Sequence, residues 1–261
     1  MKLIPREPQA TADISSGHTS GRQQARTALI FLGVAALAWW LLGVLGTFVG
    51  AHLPDRWERR LGGSMHGMWD NESTGDLSRA QAVLTRLMQD EPLRDLPYRL
   101  FMIELEAANA VAFPGGGIGL TPEMLDVVPS EAGLAFVLAH ELGHHQHRHM
   151  TRRLGRGLLQ SLVLSLVLGQ DDVGNSAAAV VQVAESGYSR ADEREADAYA
   201  LRLVHRKYGS TAGALDFFRH MVAKEDDPAW QNFIGTHPAT ADRIAAMETL
   251  QRELEQGRKS P

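Results

Sequence analysis

A histidine-rich run, "AHELGHHQHRHM" from Ala139 to Met150, contains the residue types that could hold a metal ion. His140 and His144 are four residues apart, so their side chains share one face of an α-helix and can converge on one ion. Neutral imidazole nitrogens are good ligands for zinc. Glu141 follows the first histidine, where it can act as a general base toward a water molecule. The H-E-x-x-H spacing therefore predicts a hydrolytic zinc site.

The residues that carry this motif are predicted to form a buried helix. Ser130 is a plausible cap, and apolar positions follow at spacings of three and four. These positions are Leu134, Val137, Leu138, Leu142 and His145. Because unpaired polar groups are costly inside a protein, an ion is favoured over a chance histidine cluster. A solvated histidine-rich face stays open as the interpretation of His145 and His147.

A third protein ligand is expected from the segment "GYSRADEREADAYALRL". Of its glutamates Glu193 and Glu195, only Glu193 has an acid four residues further on, Asp197, on its own helix face. We therefore expect Glu193 to bind the metal and Asp197 to accept a hydrogen bond from a ligand histidine, which fixes the histidine tautomer. Glu195 is expected to point elsewhere. A solvated face with Arg190 and Arg194 as partners is the alternative for this segment taken alone.

The segment "NAVAFPGGGIGLT" predicts how a substrate is held. Residues 109–113 suit a short strand, which a proline and three glycines then end. An exposed strand edge can pair with an extended peptide, and such pairing favours unfolded or loop substrates. The predicted substrate contacts are Asn109, Ala110, Val111 and Ala112. A plain glycine-rich turn is the alternative, whereas a phosphate-binding loop lacks its G-x-G-x-x-G or Walker pattern.

Four ordered motifs resemble those of a known family. "NAVAFPGGGIGLT" is similar to its NA-x-x-x-PGG segment, "HELGHHQHRH" to HE-x-x-H-x-x-x-RH, "YSRADEREAD" to YSR-x-x-E-x-EAD, and "THPATADRI" to THP-x-x-x-x-RI. With the linker-like "LPDRWERRLG", they extend from about Leu53 to Leu250. The chain thus resembles the Ste24/HtpX-type zinc metallopeptidases of peptidase family M48, in a membrane-anchored bacterial form.

The resemblance implies a role for each matched residue. His140, His144 and Glu193 match the zinc ligands of the family and Glu141 its catalytic base. Asp197 matches the acid that supports a ligand.

His237 matches a histidine of the family that either stabilises the transition state or caps the metal and holds the enzyme inactive. The transition-state role is favoured, since only Arg243, the arginine of the RI element, offers a comparable donor. Arg243 is a possible supporting residue, and Tyr188 and Arg190 match the YSR positions in structural or catalytic roles. Without the other motifs, His237 would be an ordinary loop histidine held extended by the proline that follows it.

Length and composition limit the function classes. With 261 residues, 44% hydrophobic and 22% charged, the chain can bury a substantial core. Its net charge of -5 argues against nucleic acid as a partner. The chain has no cysteine, which excludes disulfides, thiolate ligands and a lipoprotein anchor but leaves the redox compartment open.

An uncharged segment, Thr27 to Ala51, predicts a membrane anchor. As a helix it would reach roughly 37 Å, against about 30 Å of hydrocarbon. A cleaved signal peptide is less favoured, because its apolar core has only about 7 to 15 residues. Lysines and arginines barely favour a cytoplasmic N-terminus. Resemblance to anchored bacterial members then places the catalytic part on the periplasmic side of the inner membrane.

The predicted fold is α+β and mainly helical, a zincin-like metallopeptidase domain with a small edge-exposed β-sheet, preceded by one transmembrane helix. The segment "YRLFMIEL" predicts a strand of that sheet. The apolar stretch Gly157 to Gly169 is too short to cross a bilayer, and a core helix is favoured over a membrane-dipping one. The predicted parts are a flexible tail (1–26), the transmembrane helix (27–51), the M48-like domain (52–255) and a disordered tail (256–261).

Three functions fit these predictions. The first is a membrane-anchored endopeptidase with one zinc per chain, which cuts misfolded or membrane-associated proteins for quality control. The second is a chaperone or assembly factor that uses the same zinc fold with little proteolysis; an intact Glu141 favours the first, because binding needs no base. The third is a prenyl-protein processing enzyme, but such relatives enclose their site within several membrane spans and this chain has one.

Overall fold

The computed structural model describes residues 21–69, 76–105, 107–168, 187–223, 231–237 and 241–257. The chain forms two compact units, residues 1–41 and 42–261. Most of the two predicted tails lies outside the described residues. The fold is mainly helical with one small sheet, as predicted.

The described elements, in chain order, are α1 (Gly21–Ala51), α2 (Asp55–Trp69), α3 (Ser78–Met88), β1 (Arg99–Met102), β2 (Ala110–Phe113), β3 (Gly117–Leu120), α4 (Pro122–Val127), α5 (Glu131–Gln146), α6 (His149–Leu168), α7 (Arg190–Tyr208), α8 (Asp216–Ala223), α9 (Gln231–Thr236) and α10 (Ala241–Gly257).

Helix α5, which carries the H-E-x-x-H motif, lies at the centre of the core. The hydroxyl of Ser130 accepts a hydrogen bond from the Gly133 amide, which confirms the predicted cap. Every residue from Gly133 to His145 is buried. Gly143 faces α7, and a Cβ atom there would lie 3.0 Å from the Cα atom of Ala196. This close approach of the two helices places the α5 histidines beside the first turn of α7.

The sheet has the strand order β1-β3-β2, with β1 parallel and β2 antiparallel to β3. Ala110 pairs with Leu120 and Phe113 with Gly117, and the turn between these strands has Gly115 at φ 82° and Gly116 at φ 90°. Such positive φ angles favour glycine. Strand β2 is at the edge of the sheet, as predicted, but its four residues are buried. Helix α5 and the segment that ends at His237 cover them.

Helix α2 is fixed to the rest of the domain by a buried carboxylate. Glu58 pairs with Arg94 and lies 3.9 Å from Arg148. Gly62 lies against the turn after β2, where a Cβ atom would be 2.5 Å from the Pro114 carbonyl oxygen. The segment between α1 and the catalytic core is therefore docked on the domain.

Helix α6 corrects one prediction. The apolar stretch from Gly157 was expected to be a core helix, yet Leu158 and Leu162 are 40% and 43% exposed. The first turns of α6 are anchored by the buried Met150 and Leu154. In the same unit, the end of α1 packs closely against α6, because a Cβ atom at Gly46 would overlap the carbonyl oxygen of Gly155. The exposed leucines come after this contact along α6.

Candidate metal and catalytic site

Four buried side chains converge at the centre of the fold. They are His140 and His144 from α5, Glu193 from the first turn of α7, and His237 at the end of α9. One ligand atom from each lies within 4.8 Å of all the others. The predicted ligands are therefore brought together, and His237 joins them.

The spacing of these atoms fits zinc. His140 Nε2 lies 3.0 Å from His144 Nε2 and 3.3 Å from His237 Nδ1. Glu193 Oε1 lies 3.1 Å from His237 Nδ1 and 3.4 Å from His144 Nε2. Atoms bound tetrahedrally to zinc at about 2.0–2.1 Å are about 3.3–3.4 Å apart. The four side chains thus form a cage of the right size.

Hydrogen bonds on the far side of two rings leave acceptors facing each other inside the cage. His140 Nδ1 lies 3.0 Å from Asp197 Oδ1, and His237 Nε2 donates to the Ala110 carbonyl oxygen at 3.2 Å. In neutral rings these bonds place both protons outside, so two lone pairs meet Glu193 Oε1 inside. Because acceptors cannot satisfy one another, the donor set fits a cation.

Asp197 is held by Arg243. The guanidinium donates to both carboxylate oxygens of Asp197, at 2.5 and 2.8 Å, and lies 2.5 Å from Glu193 Oε2. Burial works to raise the pKa of Asp197, but Arg243 outweighs it and the pKa is lowered. The same balance of burial against His237, His144 and Arg243 leaves the pKa of Glu193 well below its usual value. Both carboxylates stay charged, as metal binding requires.

Glu141 lies beside the cage without a side-chain hydrogen bond. It is fully buried, and neither carboxylate oxygen has a side-chain hydrogen-bond partner among the described residues. His237 Nε2 is 3.7 Å from Oε1. Burial raises the pKa of Glu141, and the nearby His237 and His140 only partly oppose it. A carboxylate with a raised pKa and no side-chain partner is suited to accept and release a proton.

Comparison with known proteins agrees with this geometry. The model of peptidase family M48 matches residues 76–251, about two thirds of the chain. The chain belongs to peptidase family M48. No curated protein sequence matches it. The family is one of metallopeptidases, and the His140, His144 and Glu193 group fits its H-E-x-x-H motif with a third ligand. The more specific Ste24/HtpX type stays a prediction.

The predicted substrate strand of this M48 chain contacts the site through its backbone. The Ala110 carbonyl binds His237, and the side-chain oxygen of Asn109 accepts hydrogen bonds from the Ala110 amide at 2.9 Å and Thr236 Oγ1 at 3.2 Å. Asn109 therefore ties β2 to the segment that carries His237. Substrate contacts at Asn109, Ala110, Val111 and Ala112 stay a prediction.

Sequence reasoning left the other histidines of the motif open, and their environments differ. His145 is buried and its Nε2 donates to the Gly117 carbonyl oxygen at 3.0 Å, so a solvated face is wrong for it. Burial lowers its pKa to about 4. The sequence signal for this burial was the position of His145 among the apolar residues of the helix. His147 is exposed, as that interpretation requires.

Two aromatic rings also contact the predicted ligand His144. Tyr188 stacks on it with ring centres 3.7 Å apart, which is a positioning contact for the first residue of the YSR motif. His149, which sequence reasoning did not single out, approaches its other ring nitrogen. Glu195 points away from the cage, as predicted, and its side chain is 53% exposed beside His149. Arg190 begins α7.

Proposed function

We propose that the chain is a membrane-anchored, zinc-dependent endopeptidase that hydrolyses misfolded or membrane-associated proteins. The observation that carries this proposal is the cage of His140, His144, Glu193 and His237 next to Glu141, a buried carboxylate with no side-chain hydrogen-bond partner among the described residues. Membership of a metallopeptidase family supports the same reaction class. Quality control is the role that such substrates imply.

Zinc, when bound, supplies a Lewis acid that polarises the scissile carbonyl and lowers the pKa of a water molecule. Glu141 takes a proton from the attacking water and passes it to the leaving amine. Its raised pKa favours this proton transfer. Asp197 and Arg243 keep His140 oriented with its lone pair toward the cage.

We further propose that His237 is the fourth ligand of a closed resting site. Its Nδ1 lies 3.1 Å from Glu193 Oε1 and 3.3 Å from His140 Nε2, distances that suit ligands of one ion. Sequence reasoning favoured the transition-state role, and these contacts favour the cap. A catalytic zinc needs an open position, so His237 must move aside before hydrolysis.

The same movement would uncover the substrate strand. His237 binds the Ala110 carbonyl, and the neighbouring Thr236 binds Asn109. Release of this short segment frees both a metal position and a main-chain acceptor at the edge of β2. An extended peptide could then pair with β2 across the site, which selects unfolded segments rather than one sequence.

The closed site also gives the alternative function a specific basis. With His237 in place, the metal lacks the open position that hydrolysis needs, so the closed domain would not cut a bound segment. Steady hydrolysis of an unfolded protein such as casein by the purified chain, with no activator added, would exclude this chaperone-like alternative.

Metal content tests the ligand assignment. We expect purified protein to contain one zinc per chain, lost in His140→Ala and Glu193→Ala and largely kept in Glu195→Ala. Asp197→Ala should weaken binding about 10- to 100-fold. Elemental analysis and chelator competition measure these effects. Full zinc in Glu193→Ala with loss in Glu195→Ala would show that the wrong glutamate was chosen.

Helix α1 is the basis of the proposed anchor, because among the described residues it alone is long and apolar enough to cross a membrane. We expect the protein to stay in the membrane fraction through carbonate washing, and a reporter after Pro261 to behave as periplasmic in a bacterial host. A soluble protein with a new N-terminus near Ala51 would show a cleaved signal instead.

A further inference from the structure

The ring of His149 is placed to control the ligand His144. His149 is buried at the start of α6, and its Nδ1 lies 2.9 Å from His144 Nδ1. Its Nε2 faces two carboxylates of α7, with Glu195 Oε2 at 3.1 Å and Asp192 Oδ1 at 3.5 Å. His149 therefore lies between a predicted metal ligand and negative charge.

The possible proton positions follow from these contacts. A carboxylate accepts, so His149 Nε2 must carry a proton and donate it to Glu195. In a neutral ring, His149 Nδ1 is then an acceptor. The short contact with His144 Nδ1 needs one proton, which His144 must supply. The remaining nitrogen of His144, Nε2, is thereby left with its lone pair toward the cage.

The other groups around His149 are compatible with these proton positions. The ring of His147 stacks on it at 5.5 Å, and Tyr188 lies on its other neighbour, His144. Arg152 lies 3.5 Å from the same oxygen of Asp192 that faces His149. Asp192 is shared with this arginine, so Glu195, at the shorter distance, is the principal acceptor.

We propose that His149 and Glu195 form a positioning pair that fixes the tautomer and orientation of His144 for metal binding. The pair does for His144 what Asp197 and Arg243 do for His140. The support for His144 comes from α6 and α7, so the start of α6 is coupled to the metal site. This inference rests on the proposed metal site.

The test separates the hydrogen bond from simple packing. His149→Phe keeps a ring but removes the acceptor, whereas His149→Asn places an amide oxygen close to the position of Nδ1. We expect His149→Phe to weaken zinc binding about 10- to 100-fold and His149→Asn to stay within about threefold of wild type. Glu195→Ala should give a smaller loss, with the exposed Arg194→Ala as control. Chelator competition gives the affinities, and the absorption spectrum of the cobalt-substituted protein reports ligand geometry.

Each result decides between explanations. Equal losses in His149→Phe and His149→Asn, or no loss in either, would overturn the positioning pair while leaving the metal site intact. A second zinc in wild type that Glu195→Ala removes would also overturn it, since His149 Nε2 would then be a ligand. No zinc in wild type would reject the metal site itself and the pair with it.

Discussion

Replacing Glu141 by glutamine is expected to lower kcat for unfolded-protein hydrolysis about 10²- to 10⁴-fold, the range that general acid–base catalysis contributes. Glutamine has nearly the same shape but cannot take a proton from water. Because Glu141 is not one of the four cage residues, zinc content should stay at one per chain. Steady-state kinetics on casein and elemental analysis measure the two effects together.

A matched control is available in Glu193, the second buried glutamate of the region. Glu193→Gln should lose activity because it loses metal, whereas Glu141→Gln should lose activity with metal retained. If Glu141→Gln hydrolyses casein at the wild-type rate, the chain does not use this glutamate as a base.

His237→Ala is expected to raise basal proteolysis. If the open state has a population of roughly 0.1–10% in the resting protein, removal of the cap raises activity about 10- to 1,000-fold. Zinc should remain, since three protein ligands are enough for a catalytic site. Self-cleavage in cells and kinetics on an unfolded substrate measure the change.

Thr236→Val gives a milder test of the same cap. It removes the hydrogen bond to Asn109 but leaves His237 in place, so a smaller rise in proteolysis is expected. A fall of about 10²- to 10³-fold in His237→Ala with zinc intact would instead establish His237 as a transition-state donor. No change in activity, zinc content or self-cleavage would reduce it to a packing residue.

The helical repeat accounts for the part of the site that sequence reasoning predicted. His140 and His144 share a face because they are four residues apart, and the same spacing separates Glu193 from Asp197. The structure places Asp197 Oδ1 3.0 Å from His140 Nδ1, the partnership that the spacing predicted. Local periodicity placed each pair on one face of its own helix, and the need of a zinc site for a third protein ligand joined the two helices.

Other contacts between distant segments were beyond such reasoning. His237 is 97 residues from His140, and nothing in its own neighbourhood predicts the bond to Ala110 that turns its lone pair inward. His149 begins a new helix, so the period of α5 does not predict its contact with His144. Leu158 is exposed because the packed part of α6 ends before it. Amino-acid composition does not reveal where that packing ends.

Removal and return of the metal tests the proposed chemistry most directly. Wild-type protein would be stripped by a chelator, assayed on casein, and reloaded with one equivalent of zinc, with Glu141→Gln treated in parallel. We expect hydrolysis to disappear on stripping and to return in wild type only. Hydrolysis that continues in the zinc-free protein, or that returns equally in Glu141→Gln, would contradict a zinc peptidase that uses Glu141 as its base.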